Sequence, residues 1–180
     1  MKRILLTVIL STGFIITNAQ TEKGDWMVGG GFRLNTSDNN TVIALTPNAG
    51  AFIIKNLALG GNLSFSYAKS GDTKITDFGI GPFVRYYFTN ANVRPILHGS
   101  LNFKSSKTKI TGLGSSSDTG LNFFLGGGAA VFISDQVSID ALLGYDHTKY
   151  HDSDGSGGFA MTIGFQVYLL KHQMDRVRGK

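Results

Sequence analysis

The sequence predicts an all-β fold, an eight-stranded antiparallel up-and-down transmembrane β-barrel. Apolar and polar residues alternate along eight runs after residue 19, and the connections between the runs are alternately short and long. Alternation with a period of two indicates strands whose two faces meet different surroundings. Most runs have 11 to 14 residues, whereas soluble strands average about 5–6 and a tilted strand needs about 9–11 to cross the hydrocarbon. Short periplasmic turns and longer outer loops are typical of outer-membrane barrels.

The N-terminal segment has the three-part order of a secretory signal peptide. A basic start, Met1 to Arg3, precedes an apolar run from Ile4 to Ile16 and the small residues up to Ala19. The run is shorter than the roughly 20 residues of a membrane helix, so we predict cleavage after Ala19, with an uncleaved anchor as the alternative. The domain prediction is a signal peptide over 1–19, a barrel over 20–170 and a short basic periplasmic tail over 171–180.

Composition narrows the classes of function and of stabilisation. Without Lys2 and Arg3 the chain keeps fifteen basic and twelve acidic side chains, and its basic residues cluster only in the tail. A nucleic-acid partner is therefore not expected. The chain has no cysteine, so an exported domain of this size needs another source of stability than disulfides. A closed barrel provides one, because each strand is hydrogen-bonded on both sides.

Each of the eight runs is defined by its alternation. In the third, Leu59 and Phe65 share a face opposite Asn62; in the eighth, Ile163 and Phe165 lie opposite Gln166. The second run is less regular around 47–52, where Pro47 lacks a ladder donor and predicts a bulge. The runs cover 24–35, 41–54, 57–68, 75–88, 94–105, 119–133, 137–147 and 158–170. The longest predicted outer loops are 106–118 and 148–157.

The polar face is predicted to point inward. It carries too many charged and amide side chains for a dry core, and an apolar face this continuous would aggregate in water. In a barrel of eight strands the side chains fill the lumen, and buried charges need partners. We predict an ionic network among Arg33, Asp77, Arg85 and Asp140, with His98 and Lys104 near its outer end. Two interpretations stay open, a narrow polar pathway and a plug that stiffens the wall.

Aromatic residues near the run ends predict the two interfacial girdles of a membrane barrel. The parity of the eighth run assigns Tyr168 inward, and that of the first places Trp26 and Phe32 on one face. The predicted girdle residues are Trp26, Tyr67, Tyr86, Phe88, Phe103, Tyr145 and Phe159.

The chain resembles the small outer-membrane β-barrel family that includes OmpX and the membrane domain of OmpA. The segments that carry the resemblance are Gly24-Asp25-Trp26, Gly29 to Phe32, Pro47 to Gly60 and Gly81 to Phe88. The resemblance extends from about residue 24 to 170 and implies fold and location rather than an activity. One departure is that a basic tail follows the last run, where such barrels commonly end on an aromatic residue.

No pattern of a known catalytic, cofactor or metal site is found in the sequence, and we predict no enzyme activity, cofactor or metal. His147, His151, Asp152 and Asp154 cluster in an outer loop, but their spacing matches no metal site. The glycine clusters 29–31 and 126–128 open no helix and are not phosphate loops. A lipid-modifying enzyme is the alternative in which His98 and Ser100, with Asp140 as orienting group, would form the catalytic set. The other choice for that set is His147 with a serine of the outer loops.

The expected function is a structural or surface-interaction, adhesion-like role through the extracellular loops. The alternatives are a narrow pore or small-molecule transport barrel, a lipid-modifying enzyme, and a soluble exported barrel. The expected location is the outer membrane. The expected partners are outer-membrane lipid and lipopolysaccharide, with the barrel-assembly machinery during insertion, and the expected oligomeric state is a monomer.

Overall fold

The computed structural model describes residues 21–37, 40–112, 114–151 and 154–171, with the side chains of 33–37 and 40 outside the description. Alternating sequence becomes eight strands: β1 Trp26–Ser37, β2 Asn40–Ile54, β3 Leu57–Ser70, β4 Thr73–Tyr87, β5 Val93–Ile110, β6 Gly114–Ser134, β7 Val137–Tyr150 and β8 Ser156–Leu169. In this part of the chain, no helix has the length and apolar character needed to cross a membrane.

The eight strands form one closed antiparallel barrel in sequence order. Each strand pairs with the next, and β1 pairs with β8 from Trp26↔Leu169 to Phe32↔Ile163. Closure removes the unpaired edges that an open sheet would expose, which is the condition for a sheet in lipid. The predicted fold class is confirmed.

The two faces of the wall have the predicted orientation. Phe159 is 85% exposed and Leu143 is 60% exposed, whereas Arg85 and Asp140 are 3% and 2% exposed. Leucine and phenylalanine therefore cover the outside of the barrel, where lipid rather than water is the matching medium.

The interior is polar only in part, whereas the sequence predicts a polar lumen. Ten buried apolar residues form a cluster that reaches from the short-turn end of the barrel into its interior. The alternation averages over a whole strand and did not show this division, although Phe83 and Tyr87 share the parity of Arg85. The cluster comprises Met27, Phe52, Ala58, Phe83, Tyr87, Ile96, Ala130, Phe132, Leu142 and Tyr168.

The predicted outer loop over 106–118 is wrong, because most of it is strand. β5 continues to Ile110 and β6 begins at Gly114, with Ser106 paired to Asp118 and Lys109 to Ser115. Outside the membrane both faces of a strand meet water, so the hydrophobic alternation ends while the backbone ladder continues. The predicted loop over 148–157 is likewise shorter, since β7 reaches Tyr150 and β8 begins at Ser156.

Irregularities of the ladder lie next to the short turns. The predicted bulge around 47–52 is displaced, because the register of β2 and β3 shifts between Phe52 and Ile54 and is the same on both sides of Pro47. A second shift lies between Phe132 and Ser134. Asn56, in the β2–β3 turn, has φ 65°, a left-handed conformation that asparagine tolerates better than most residues.

Candidate functional site

An ion pair between β4 and β7 is the centre of the lumen. Arg85 Nη1 donates to Asp140 Oδ2 at 2.6 Å, and each side chain is 3% exposed. Ser138 Oγ donates to the other carboxylate oxygen at 2.6 Å, and Arg85 Nε donates to His98 Nδ1 at 3.2 Å. A buried pair repays its desolvation only when such additional hydrogen bonds satisfy the remaining polar atoms. The register of β4 and β5 supplies the bond to His98, because Arg85 and His98 are cross-strand neighbours.

On the periplasmic side of the ion pair, an aromatic plug closes the lumen towards the short-turn end. We define the plug as Met27, Phe52, Tyr87, Phe132 and Tyr168. The Tyr87 and Tyr168 hydroxyl oxygens are 3.0 Å apart, and Tyr168 also lies 3.1 Å from Ser138 Oγ. The plug is thus bonded to the ion pair through Ser138, and the rings of Phe132 and Tyr168 pack with centroids 4.9 Å apart.

Arg94, on β5, holds the plug from the periplasmic side. Its guanidinium carbon lies 4.1 Å from the centroid of the Phe132 ring, a cation–π contact. Its Nε donates to the Ala91 carbonyl at 2.9 Å and its Nη1 to Thr21 Oγ1 at 3.2 Å. Alternation along β5 places Arg94 on the same face as His98. Its contact with Phe132, which is distant in sequence, could be seen only in the fold.

On the extracellular side of the ion pair lies a polar cavity of about 270 Å³. Asn102 Nδ2 donates to Asn122 Oδ1 at 3.3 Å, and Asn122 Nδ2 donates to Asp146 Oδ1 at 2.9 Å. The cavity has room for several water molecules, at about 30 Å³ each. Among the described residues, four buried side-chain oxygens on its wall have no hydrogen-bond partner, those of Asn48, Asn62, Asn102 and Gln166.

Of the other predicted network residues, Asp77 and His98 are placed differently from the prediction. Asp77 lies outside the Arg85 network and accepts from Ser66 Oγ at 2.9 Å and Ser106 Oγ at 2.6 Å. Lys104 is half-buried on the cavity wall. His98 contacts the ion pair itself rather than the outer end of the network, and the side chain of Arg33 lies outside the described residues.

Six of the predicted girdle residues face outward on β1, β3, β4, β5, β7 and β8, and Phe88 directly follows β4. At the short-turn end Tyr86 and Phe88 make an edge-to-face contact with centroids 5.0 Å apart. At the other end Tyr145 and Phe159 pack with centroids 6.2 Å apart. Of the remaining members, Trp26 and Phe103 are exposed and Tyr67 is half-buried.

The residues of the enzyme alternative do not form a catalytic set. His98 Nδ1 accepts from Arg85, Asp140 bonds Arg85 and Ser138, and Ser100 Oγ accepts from Asn102 Nδ2 at 3.5 Å. A triad needs the carboxylate on the histidine and the histidine on the serine. Among the described residues no group of three or more histidine, aspartate or glutamate side chains could hold a metal ion, and Asp152 of the predicted loop cluster lies outside them.

The geometry, a closed eight-stranded wall with a lipid-matched exterior, agrees with the family comparison. The model of the outer membrane protein beta-barrel domain matches residues 6–174. The chain belongs to this family. It is therefore an outer-membrane protein of the Gram-negative envelope, as the sequence resemblance implied. No curated protein matches the sequence significantly.

Solved structures of outer-membrane barrels share the fold. Neisserial surface protein A is 19% identical, with a TM-score of 0.60 over 79% of this chain and 94% of that chain. Ail, the attachment invasion locus protein of Yersinia pestis, is 15% identical, with a TM-score of 0.55 over 82% and 99%. The N-terminal barrel domain of Pseudomonas aeruginosa OprF is 13% identical, with a TM-score of 0.53 over 82% and 98%. At these identities the likeness establishes the fold alone.

Proposed function

We propose that the protein is a non-enzymatic surface-interaction barrel, which anchors an extracellular β-hairpin in the outer membrane and attaches the cell through it. The observation that carries the proposal is the length of β5 and β6, 18 and 21 residues. A tilted strand crosses the hydrocarbon with about 9–11 residues, so both strands extend well beyond it on the side of the longer connections. A paired extension of this kind presents a rigid polar surface.

The surface of this hairpin is suited to contacts with other molecules. It is rich in hydroxyls and lysines, with Lys107 paired to Ser117 and Lys109 to Ser115. The tips of the two neighbouring hairpins are joined, because Thr111 donates its backbone N–H to the Asp72 carbonyl at 3.1 Å. Attachment is also the activity named for the fold relative from Yersinia pestis.

Shortening the hairpin tests the proposal. Ser106 and Asp118 are directly paired, so replacing 107–117 by Asn-Gly leaves a two-residue hairpin turn of favoured type. Cells that lack the protein are complemented with the parent, the shortened variant, or a variant with the sequence of 107–117 shuffled. Retention is measured on surfaces coated with collagen, fibronectin, laminin or heparin, and on an epithelial monolayer.

We expect retention with the parent on at least one surface and its loss with the shortened and the shuffled variants. Heat-modifiable migration of each variant on a detergent gel shows that the barrel has folded. Equal retention of parent and shortened variant, or of parent and cells lacking the protein, contradicts the proposal.

The cavity above the ion pair favours transport as the second candidate function. A pore needs the cavity to continue to the periplasm, and the aromatic plug lies across that path. Planar-bilayer recording separates the two candidates. Stable conductance steps from the purified parent would favour a pore over a surface-interaction barrel.

A further inference from the structure

An amphipathic groove of about 770 Å³ lies on the outer surface of the wall across β4, β5, β6 and β7. Its apolar floor consists of outward side chains that are 45–63% exposed, Phe78, Ile80, Phe103 and Leu121. Ser105, Thr119, Lys149 and His151 line the same groove. The lining therefore combines hydrocarbon with hydroxyl and cationic groups on the lipid-facing surface.

The register of the strands orders these groups in rows around the barrel. Phe103 pairs with Ile80 on one side and with Leu121 on the other, and Leu121 pairs with Lys149. The next row towards the extracellular end contains Ser105, which pairs with Phe78 and Thr119. Towards the extracellular end, β5 and β6 thus change from Phe103 and Leu121 to the hydroxyls of Ser105 and Thr119.

Nearer the extracellular end of the barrel, three lysines lie side by side on adjacent strands. Lys74 pairs with Lys69 on β3 and with Lys109 on β5, and all three are exposed on the outward face. We call them the lysine row. Like charges directly opposite each other across strands are destabilising, so the row favours an anion that bridges it.

The described part of the protein supplies no such anion. Its ion pairs are Lys55–Glu22 and Arg85–Asp140, neither of which involves the row. The nearby carboxylate of Asp77 turns inward to two serines, and that of Asp118 accepts the Thr119 N–H at 2.7 Å. Asp72 lies in the turn between Lys69 and Lys74, but no ion pair within 4 Å among the described residues joins its carboxylate to the row. The row is therefore available to an anion from another molecule.

The lysine row lies at the height of lipid headgroups. Lys74 is four residues beyond Phe78 on β4, which is about 13 Å along a strand and about 10 Å along the barrel axis at the usual tilt. Phe78 belongs to the apolar band, and the polar headgroup layer begins where that band ends. The opposite side of the barrel differs, because β8, which lies across the ring from β4, contains neither lysine nor arginine.

We propose that the groove and the lysine row form one binding site for a phosphorylated lipid of the outer leaflet, namely lipopolysaccharide. The acyl chains lie on Phe78, Phe103 and Leu121, and the phosphate groups lie between the ammonium groups of the row, with Lys107 and Lys149 below it. Clustered lysines at a membrane surface recognise anionic headgroups in this way. The site gives the barrel one preferred lipid contact on one side.

Native mass spectrometry of the purified full-length barrel tests the site. The probes are hexa-acylated lipid A with both phosphates, the same lipid after enzymatic removal of the phosphates, and a zwitterionic phospholipid. The test variant is Lys69→Gln/Lys74→Gln/Lys109→Gln. The matched control, Lys23→Gln/Lys55→Gln/Lys171→Gln, removes the same charge from exposed lysines at the periplasmic end.

We expect the parent and the control to retain the phosphorylated lipid, and the row variant to bind it about tenfold or more weakly. Heat-modifiable migration verifies that each variant is folded. Equal affinity of the row variant and the parent overturns the proposal, as does equal affinity of the parent for the dephosphorylated lipid. Because purified protein and lipid are measured, the result is independent of the attachment assay.

Discussion

At the scale of single residues, the ion pair of Arg85 and Asp140 is the most demanding interaction in the lumen. Asp140→Ala leaves the buried guanidinium without a counter-ion, and we expect a loss of about 3–5 kcal/mol in the free energy of unfolding. Urea unfolding in detergent micelles, followed by tryptophan fluorescence, measures it. The control Asp135→Asn changes an exposed turn carboxylate and should stay within about 0.5 kcal/mol of the parent. A loss below 1 kcal/mol for Asp140→Ala would mean that water already solvates the pair.

Two glycines of neighbouring strands differ in the space that the wall leaves for a side chain. A Cβ at Gly81 would lie 1.8 Å from the Leu101 carbonyl oxygen, whereas one at Gly61 has its nearest neighbour at 3.8 Å. Gly81→Ala therefore forces the β4–β5 ladder apart, and we expect a destabilisation of about 1–3 kcal/mol. Gly61→Ala should be neutral or slightly stabilising. The same unfolding assay compares them, and equal stability of the two variants would contradict this account of wall packing.

At the scale of elements, the sequence predicts the strands well and their far ends poorly. Inside the membrane the two faces meet lipid and lumen, so alternation marks β3 and β8 to within a few residues. Beyond the membrane that contrast vanishes, and Ser106 to Asp118 looks like a loop although most of it is paired. The same limit applies to the lumen. Parity shows that Arg85 and Asp140 point inward, but their pairing and the isolation of Asp77 depend on which strands face each other across the barrel.

The aromatic plug is the element that decides between a closed and an open lumen. Phe132 packs on Tyr168, and its ring makes a cation–π contact with the Arg94 guanidinium. We expect Phe132→Ala to remove both contacts, to cost about 3–5 kcal/mol of stability and to produce conductance steps in planar bilayers that the parent lacks. Phe123→Ala, on the outward face of the same strand, is the control and should leave the bilayer silent. A silent Phe132→Ala variant that is folded would show that the plug alone does not close the lumen.

At the scale of the whole molecule, the medium around the barrel determines what each face tolerates. Leu143 lies on the outward face in the middle of β7, paired with Gly127 and Met161. Leu143→Arg should cost about 2–4 kcal/mol in a bilayer, because the charge would lie near the midplane. Thr111→Arg, at the exposed tip beyond β5, meets water and should cost less than about 0.5 kcal/mol.

The comparison has to be made in lipid vesicles, where the midplane is well defined. Reversible unfolding of both variants by guanidinium, followed by Trp26 fluorescence, gives the two free energies under one condition. The depth dependence is the decisive feature, since an aqueous surface would treat arginine alike at 111 and 143. Equal costs at the two positions would mean that Leu143 does not face hydrocarbon, and the orientation of the whole wall would then be wrong.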